Sequence, residues 1–291
     1  MESQRKYPRA FSFEFFPPKT EEGHRRLRET YTRLAALRPC YVSVTYGAGG
    51  TTRERTFATV SEIRRETGLD VAPHLSCIAS TREGIREILR HYMDEGIRHI
   101  VALRGDLPSG MRDPGELRHA NELVAFIREE TGDHFFIEVA AYPEFHPQAP
   151  SARQDLEHFK RKVEAGADAA ITQYFYNPDA YFRFVEAVEA MGVDLPVVPG
   201  IMPITNYVQL ARFSDACGAE IPRWLRWRLE DFGDDLASLR AFGLDVTCEL
   251  CRRLLEGGAP GLHFYTMNKA EPTLAVWERL GLASQAGMRQ A

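Results

Sequence analysis

The chain has 291 residues, 44% of them hydrophobic and 26% charged. That composition excludes a disordered or fibrous protein, and at roughly 100–200 residues per domain the length suits two ordinary domains or one large barrel. With 36 basic against 41 acidic residues, the net charge of −5 argues against a protein built around nucleic-acid phosphates. Only five of the basic residues are Lys (Lys6, Lys19, Lys160, Lys162 and Lys269), which marks each of them for attention.

From the N-terminus, Met1 to Lys6 carry charge with no apolar stretch behind them, so no secretory signal is expected. No apolar run approaches the roughly 18–20 residues of a membrane span. Five cysteines, an odd number, suit reduced thiols and a cytoplasmic protein. Short β-rich runs then recur at residues 11–16, 40–46, 71–77, 99–103, 135–142, 169–175, 196–201 and 261–266. Amphipathic stretches of helical length lie between them, and most stop at a glycine just before the next strand: Gly68, Gly96, Gly132, Gly166, Gly192 and Gly257-Gly258. Thr51-x-x-Glu54 and Ser80-x-x-Glu83 read as capping boxes, and Asn177-Pro178 as an N-cap followed by Pro in the first turn.

Eight strands about 30 residues apart predict an α/β protein, a (β/α)8 barrel with extra helices between strands 7 and 8, near residues 224–228 and 235–255. The expected organisation is a single catalytic domain over 1–291, with a core from about 10 to 280. The tail, 281–291, is too short for an appended regulatory domain. An open doubly wound sheet is the alternative, but no G-x-G-x-x-G follows any strand, and Gly47-Ala48-Gly49-Gly50 has the wrong spacing. Cys248-x-x-Cys251 falls inside a helical pattern with no second Cys or His pair nearby, so it reads as helix filler and no metal site is expected.

In such barrels the chemistry gathers at the C-terminal ends of the strands. On the first strand, alternation turns Phe11, Phe13 and Phe15 one way and Ser12, Glu14 and Phe16 the other. A carboxylate among four phenylalanines is costly unless paired or functional. Glu14 is therefore either salt-bridged across the barrel or a general acid whose pKa desolvation raises. The fourth strand ends Arg104-Gly105-Asp106, which suits either a close backbone approach to a ligand or a surface turn. His74 and Gln173 are polar residues inside β-rich runs, and a lone buried His is more often a satisfied core residue than a catalyst. The fifth strand ends in a rigid turn from Tyr142 to Pro147 that presents His146. On the helix that follows, Leu156, Phe159 and Val163 form an apolar face while Asp155, His158, Arg161 and Lys162 share another. The second face is either solvated or a basic surface at the barrel mouth able to hold a pyrophosphate.

Seven stretches, in order along the chain, resemble the methylenetetrahydrofolate reductase family: FSFEFFPPKT (11–20), YVSVTYGAGG (41–50), APHLSC (72–77), GIRHIVALRGDLP (96–108), VAAYPEFHP (139–147), AITQYFYN (170–177) and HFYTMNKAE (263–271). The resemblance implies a flavin-dependent barrel that takes a hydride from NADH or NADPH onto FAD. The hydride then passes to 5,10-methylenetetrahydrofolate, giving 5-methyltetrahydrofolate in a ping-pong reaction. It implies Glu14 as the acid that protonates the departing ring nitrogen and Asp106 as a carboxylate near both flavin and pterin. Thr45, Tyr46, Ala48, His74, Arg104, Gly105, Asp106, Tyr142, His146, Asp155, His158, Arg161 and Lys162 match FAD contacts. Gln173, Gln209, Phe213 and Lys269, with Asp106, match substrate contacts. Two positions depart from the family pattern: His158 stands where relatives often place Asn, and Lys269 where they often place Arg. A homo-oligomer is expected by resemblance only, with no nucleic-acid or membrane partner. The rival readings are a proline-dehydrogenase-like FAD barrel and a folate-binding barrel without redox chemistry.

Overall fold

In the computed structural model, residues 1–46, 50–106 and 115–282 are described, with side chains from 53 onward in the second stretch. The strands are β1 (Ala10–Phe15), β2 (Tyr41–Val44), β3 (Val71–Ser76), β4 (His99–Leu103), β5 (Phe136–Ala141), β6 (Ala169–Thr172), β7 (Val197–Val198), β8 (Gly200–Ile201) and β9 (Gly261–Tyr265). The helices are α1 (Glu2–Arg5), α2 (Glu21–Ala35), α3 (Gly50–Thr67), α4 (Arg82–Asp94), α5 (Ala120–Thr131), α6 (Ala152–Glu164), α7 (Pro178–Ala190), α8 (Tyr207–Cys217), α9 (Arg223–Asp231), α10 (Leu236–Gly257) and α11 (Ala270–Arg279).

Every strand pairing is parallel, in the order β7-β6-β5-β4-β3-β2-β1-β9-β8. The expected seventh strand is present in two pieces. β7 pairs with β6 and β8 with β9, so the ring closes through the chain itself at Pro199. Proline has no N–H to give to a ladder, which accounts for the interruption. The extra helices before the last strand are α9 and α10, the latter holding Cys248 and Cys251 buried as free thiols. The barrel expectation holds.

Local chemistry explains the joints. The predicted helix-stopping glycines, Gly68, Gly96, Gly132, Gly166, Gly192 and Gly258, all have positive φ, from +56° to +113°. Asn177 caps α7 as expected, accepting from the Asp179 N–H. The cap of α4 is Thr81, one residue after the expected Ser80: its hydroxyl accepts from Gly84 N, while the Ser80 hydroxyl donates to the Ile78 carbonyl. The side chain of Thr51 lies outside the described residues. A feature not foreseen is α1, whose Gln4 is buried. Its amide donates to the Leu195 carbonyl and accepts from Val197 N, extending the ladder below β7.

Two shells of packing result. Phe13 and Phe15, both fully buried, face outward beneath the helices, where Phe13 meets Phe264 and the Trp277 ring of α11. Inside the ring lie Tyr41, Ala72, Val101 and Ile171 together with a buried polar set: Ser12, Ser43, His74, Glu138 and His263. Gly200 is a tight point of the ring's closure. A Cβ there would stand 2.1 Å from the Thr172 carbonyl oxygen and 2.6 Å from the Tyr265 ring. Gly200→Ala is expected to destabilise the barrel by about 3 kcal/mol, the upper range for overpacking a core, read as a lowered urea midpoint. An unchanged midpoint would show that β8 can shift freely.

Candidate active site

The parallel register sets the first half of the site. Ser12 stands opposite Tyr41 on one side and His263 on the other, and Glu14 opposite Ser43 and Tyr265. Glu14 therefore projects into the ring one layer above Ser12, with 16% of its side chain exposed. His263 Nε2 lies 3.4 Å from Glu14 Oε2, and its Nδ1 is 2.7 Å from the Ser12 hydroxyl. His74 Nε2 lies 3.3 Å from the same carboxylate oxygen but out of hydrogen-bond alignment, and it has no other partner among the described residues. The Glu14 backbone is fixed from β9, because the Thr266 hydroxyl donates to its carbonyl.

This arrangement corrects one expectation. Burial does push the Glu14 carboxyl up, but the His74 and His263 imidazoles outweigh it and hold the group down at about 2. The two imidazoles therefore favour Glu14 as an ionised carboxylate paired across the barrel. A second acid lies a layer below. Glu138 Oε2 accepts from the Tyr41 hydroxyl at 2.5 Å and lies 3.1 Å from His99 Nε2.

The second half of the site is a cavity of about 450 Å³ at the C-terminal ends of β4 and β5 and along α6. Arg104, Gly105, Asp106, Tyr142, His146, Asp155, His158, Arg161 and Lys162, nine residues matched by resemblance, all line it. Gly105 has φ +83°, and a Cβ there would fall 1.9 Å from the Ser76 hydroxyl, so only glycine lets β4 end this way. The Arg104 guanidinium donates to the Gln148 side-chain carbonyl at 2.6 Å. Asp155 accepts from His146 N at 2.9 Å, and His146 Nδ1 accepts from Gln148 N, which leaves its Nε2 to carry the ring proton. Burial, reinforced by the nearby Asp106 charge, pushes the Tyr142 phenol up to about 12.

The polar face of α6 is divided: His158 and Arg161 are exposed at the cavity, while Asp155 and Lys162 are half-buried. Lys162 is half-buried, with its ammonium donating to the Ala140 carbonyl at the barrel rim and lying 5.3 Å from the Phe159 ring centroid. Desolvation lowers it to about 8, with Asp155 opposing. Lys160, by contrast, serves the frame: it donates to the Met191 carbonyl and pairs with Glu164.

The remaining matched residues are spread around the mouth. Thr45 and Tyr46 follow β2, and Thr45 N donates to the Phe15 carbonyl. Ala48 lies outside the described residues. Gln173 follows β6 and joins Tyr142 in lining a small cleft with Cys217. Gln209 and Phe213 sit one turn apart on α8, both half-buried. Lys269 is exposed at the start of α11. Reasoning from residues alone passed over His263, although it and Tyr265 alternate on the last strand in the same inward phase as Glu14. Gln148, His119 and Asn121, which also line the cavity, carried no motif.

Fold and site define a class: a parallel β/α barrel with its polar groups collected at the C-terminal rim. A family model described as methylenetetrahydrofolate reductase matches residues 2–281. The 5,10-methylenetetrahydrofolate reductases of Salmonella typhimurium and Escherichia coli are each 43% identical to the chain over 271 residues, covering 93% of it and 90% of their own length. Methylenetetrahydrofolate reductase (NADH) 1 of Arabidopsis thaliana is 37% identical over 95% of the chain and 49% of that longer protein. Among solved structures, a Clostridium thermocellum protein described as binding two copies of 5-methyl-5,6,7,8-tetrahydrofolic acid superposes with a TM-score of 0.66. It is 16% identical and covers 98% of this chain and 97% of its own, a likeness of fold. The chain belongs to the methylenetetrahydrofolate reductase family.

Lys162 yields a prediction about stability. Its folded pKa of about 8 lies below the ordinary lysine value of 10.5. Between those values the unfolded chain binds more protons, so stability of the ligand-free protein rises with pH across that window. Lys162→Met should remove the rise and add about 2 kcal/mol at neutral pH, allowing for residual exposure. Urea unfolding at pH 7 and pH 9.5 checks this, and equal pH slopes for the two proteins would contradict it.

Proposed function

We propose that this protein reduces 5,10-methylenetetrahydrofolate to 5-methyltetrahydrofolate with NADH or NADPH, using bound FAD in a ping-pong cycle. The observation that carries the reading is the single cavity that gathers nine residues matching FAD contacts. The donor set suits such a group: Arg104, Arg161 and Lys162 offer positive charge for a pyrophosphate, and the orphaned His74 Nε2 has a bond to give. Thr45, Tyr46 and Ala48 complete the cofactor set on the β2 side. The chemistry FAD supplies when bound is hydride transfer from the nicotinamide to the folate.

The chain's own residues bind, orient and move the proton. Arg161 and Lys162 hold the pyrophosphate, with Asp155 tying the His146 turn to the same helix. Asp106, exposed at the cavity rim, faces both cofactor and pterin. Gln173, Gln209, Phe213 and Lys269 receive the folate around the mouth; Lys269 meets it as a point charge where an Arg would present a fork. Glu14, at the end of β1 and ionised at rest, takes a proton from solvent onto Oε2 before the folate covers it and passes it to the departing nitrogen as the imidazolidine ring opens. Its burial excludes the water that would compete for the proton. The same reading puts the enzyme in the cytoplasm as a homo-oligomer.

Glu14→Gln should reduce folate turnover by about a hundredfold or more, the scale of a lost general acid, while flavin reduction by NADH or NADPH slows far less. Anaerobic stopped-flow measurement of the two half-reactions checks this, and equal losses would remove Glu14 from its role. Changing both Arg161 and Lys162 to Ala should give folded, colourless protein. Stoichiometric FAD retained by that variant would overturn the pyrophosphate assignment.

A further inference from the structure

The chain leaving β1 and the chain leaving β9 are joined by one side chain. Phe16, the residue after β1, donates its N–H to Asn268 Oδ1 at 3.0 Å, and Asn268 Nδ2 donates to the Phe16 carbonyl at 2.8 Å. A single carboxamide thus meets both backbone groups of Phe16, as a further residue of β9 would have done had that strand continued. It does not continue: after Thr266 the chain turns through Met267 and Asn268, both at φ +52°. The turn is tied again behind the clamp. The Thr266 hydroxyl donates to the Glu14 carbonyl at 2.6 Å and accepts from Asn268 N at 3.1 Å. The Thr30 hydroxyl of α2 donates to the Asn268 carbonyl at 3.2 Å, and Lys269 N donates to the Thr266 carbonyl at 3.0 Å.

Stability alone does not account for this clamp. Both of its bonds are solvent-exposed, where water would satisfy Phe16 nearly as well. Two successive non-glycine residues in the left-handed region carry backbone strain, and strain of that kind gathers at ligand sites. Asparagine answers both demands of the position. It tolerates the left-handed region better than most residues, and its short planar group offers a donor and an acceptor together. Aspartate would lack the donor, and glycine the side chain. What the clamp joins is the strand end that carries Glu14, two residues before Phe16, and Lys269, the residue directly after Asn268.

We propose that Asn268 is a positioning residue for folate reduction. Its carboxamide fixes the Glu14–Phe16 end of β1 to the turn that carries Lys269, so that the acid and the ammonium meet one substrate at a set separation. Lys269 is exposed on a long flexible stem, so its reach depends on where its backbone is held. Without the clamp the turn relaxes away from β1, and a misplacement of about 1 Å is enough to cost a large factor in rate. The inference rests on the proposed roles of Glu14 as proton donor and Lys269 as folate contact.

The test uses holoenzyme prereduced with NADH and mixed anaerobically with methylenetetrahydrofolate. Asn268→Gly keeps the left-handed turn and removes both bonds to Phe16. The second-order constant for folate reduction should fall about tenfold or more, while flavin reduction by NADH stays within about twofold of wild type. A merely structural role would slow both half-reactions together. That outcome, or folate reduction within about twofold of wild type, overturns the proposal. Lys269→Ala, alone and combined with Asn268→Gly, reads the coupling: positioning makes the second loss much smaller once the first is made, and strictly additive losses overturn it. If Asn268→Gly does not yield folded yellow protein, Asn268→Asp is measured in its place against the same criteria, since it keeps the acceptor for Phe16 N and drops the donation to the carbonyl. Lys269→Ala also separates the two levels. Undiminished folate reduction in that variant defeats Lys269 as a folate contact and the inference with it, whereas a loss there beside an unaffected Asn268→Gly defeats the positioning alone.

Discussion

A carboxylate removed from water must be met by charge or hydrogen bonds, since the desolvation cost runs to several kcal/mol per ion. Glu14 is such a group, and the register of the barrel is what meets the cost. β1 lies between β2 and β9, and β9 delivers His263 to Glu14 across a separation of 249 residues, with His74 added from β3. If β9 slipped by one residue against β1, His263 would point at the helices and Glu14 would keep only the His74 contact from β3. The ion cluster therefore makes the closure of the ring specific, while the outward Phe13 and Phe15 make it stable.

The second requirement is a wall for a large anionic ligand, and it is met by other means. Strand β4 is followed by a glycine that lets the chain turn against Ser76, β5 is followed by the edge-to-face Tyr142–His146 pair with ring centroids 4.6 Å apart, and α6 brings its charged face to the rim. None of these residues has to be buried as deeply as Glu14, so they can be long, cationic and partly solvated. The half-buried Lys162 is the exception. It sits in place at some expense of stability, the usual condition of a group awaiting an opposite charge.

The repeating strands, the glycine stops and the inward phase of Glu14 were legible in the sequence, because each depends on neighbours a few residues away. The joining of the polar α6 face to the β4 and β5 ends was legible only through resemblance, since periodicity alone leaves a polar face either solvated or bound. What could not be read was long-range. Desolvation alone raises a carboxyl; the observed depression to about 2 comes from imidazoles 60 and 249 positions away, so the sign of the effect depended on partners invisible to local pattern. The split at Pro199 was hidden for a similar reason: a proline in a β-rich run is tolerated only if its missing bond is absorbed elsewhere. Here the chain changes partners at that point, from β6 to β9.

The barrel contains the same chemical unit twice, and comparing the copies shows what distinguishes structure from function. Glu138 with His99 and Tyr41 occupies the layer toward the strand N-termini, its side chain 4% exposed and engaged on both sides. Glu14 with His74 and His263 occupies the layer toward the C-termini, 16% exposed, with His74 Nε2 3.3 Å and His263 Nε2 3.4 Å from its Oε2. Both carboxyls are held below the ordinary range by imidazoles. Residue type, burial and pKa direction would therefore assign them the same role. They differ in which end of a parallel strand carries them, and in a β/α barrel the C-terminal end is where the loops form a mouth. The lower cluster lies away from that mouth and ties β2, β4 and β5 together through the Tyr41, His99 and Glu138 contacts. The upper one stands at that mouth, with 16% of the Glu14 side chain exposed.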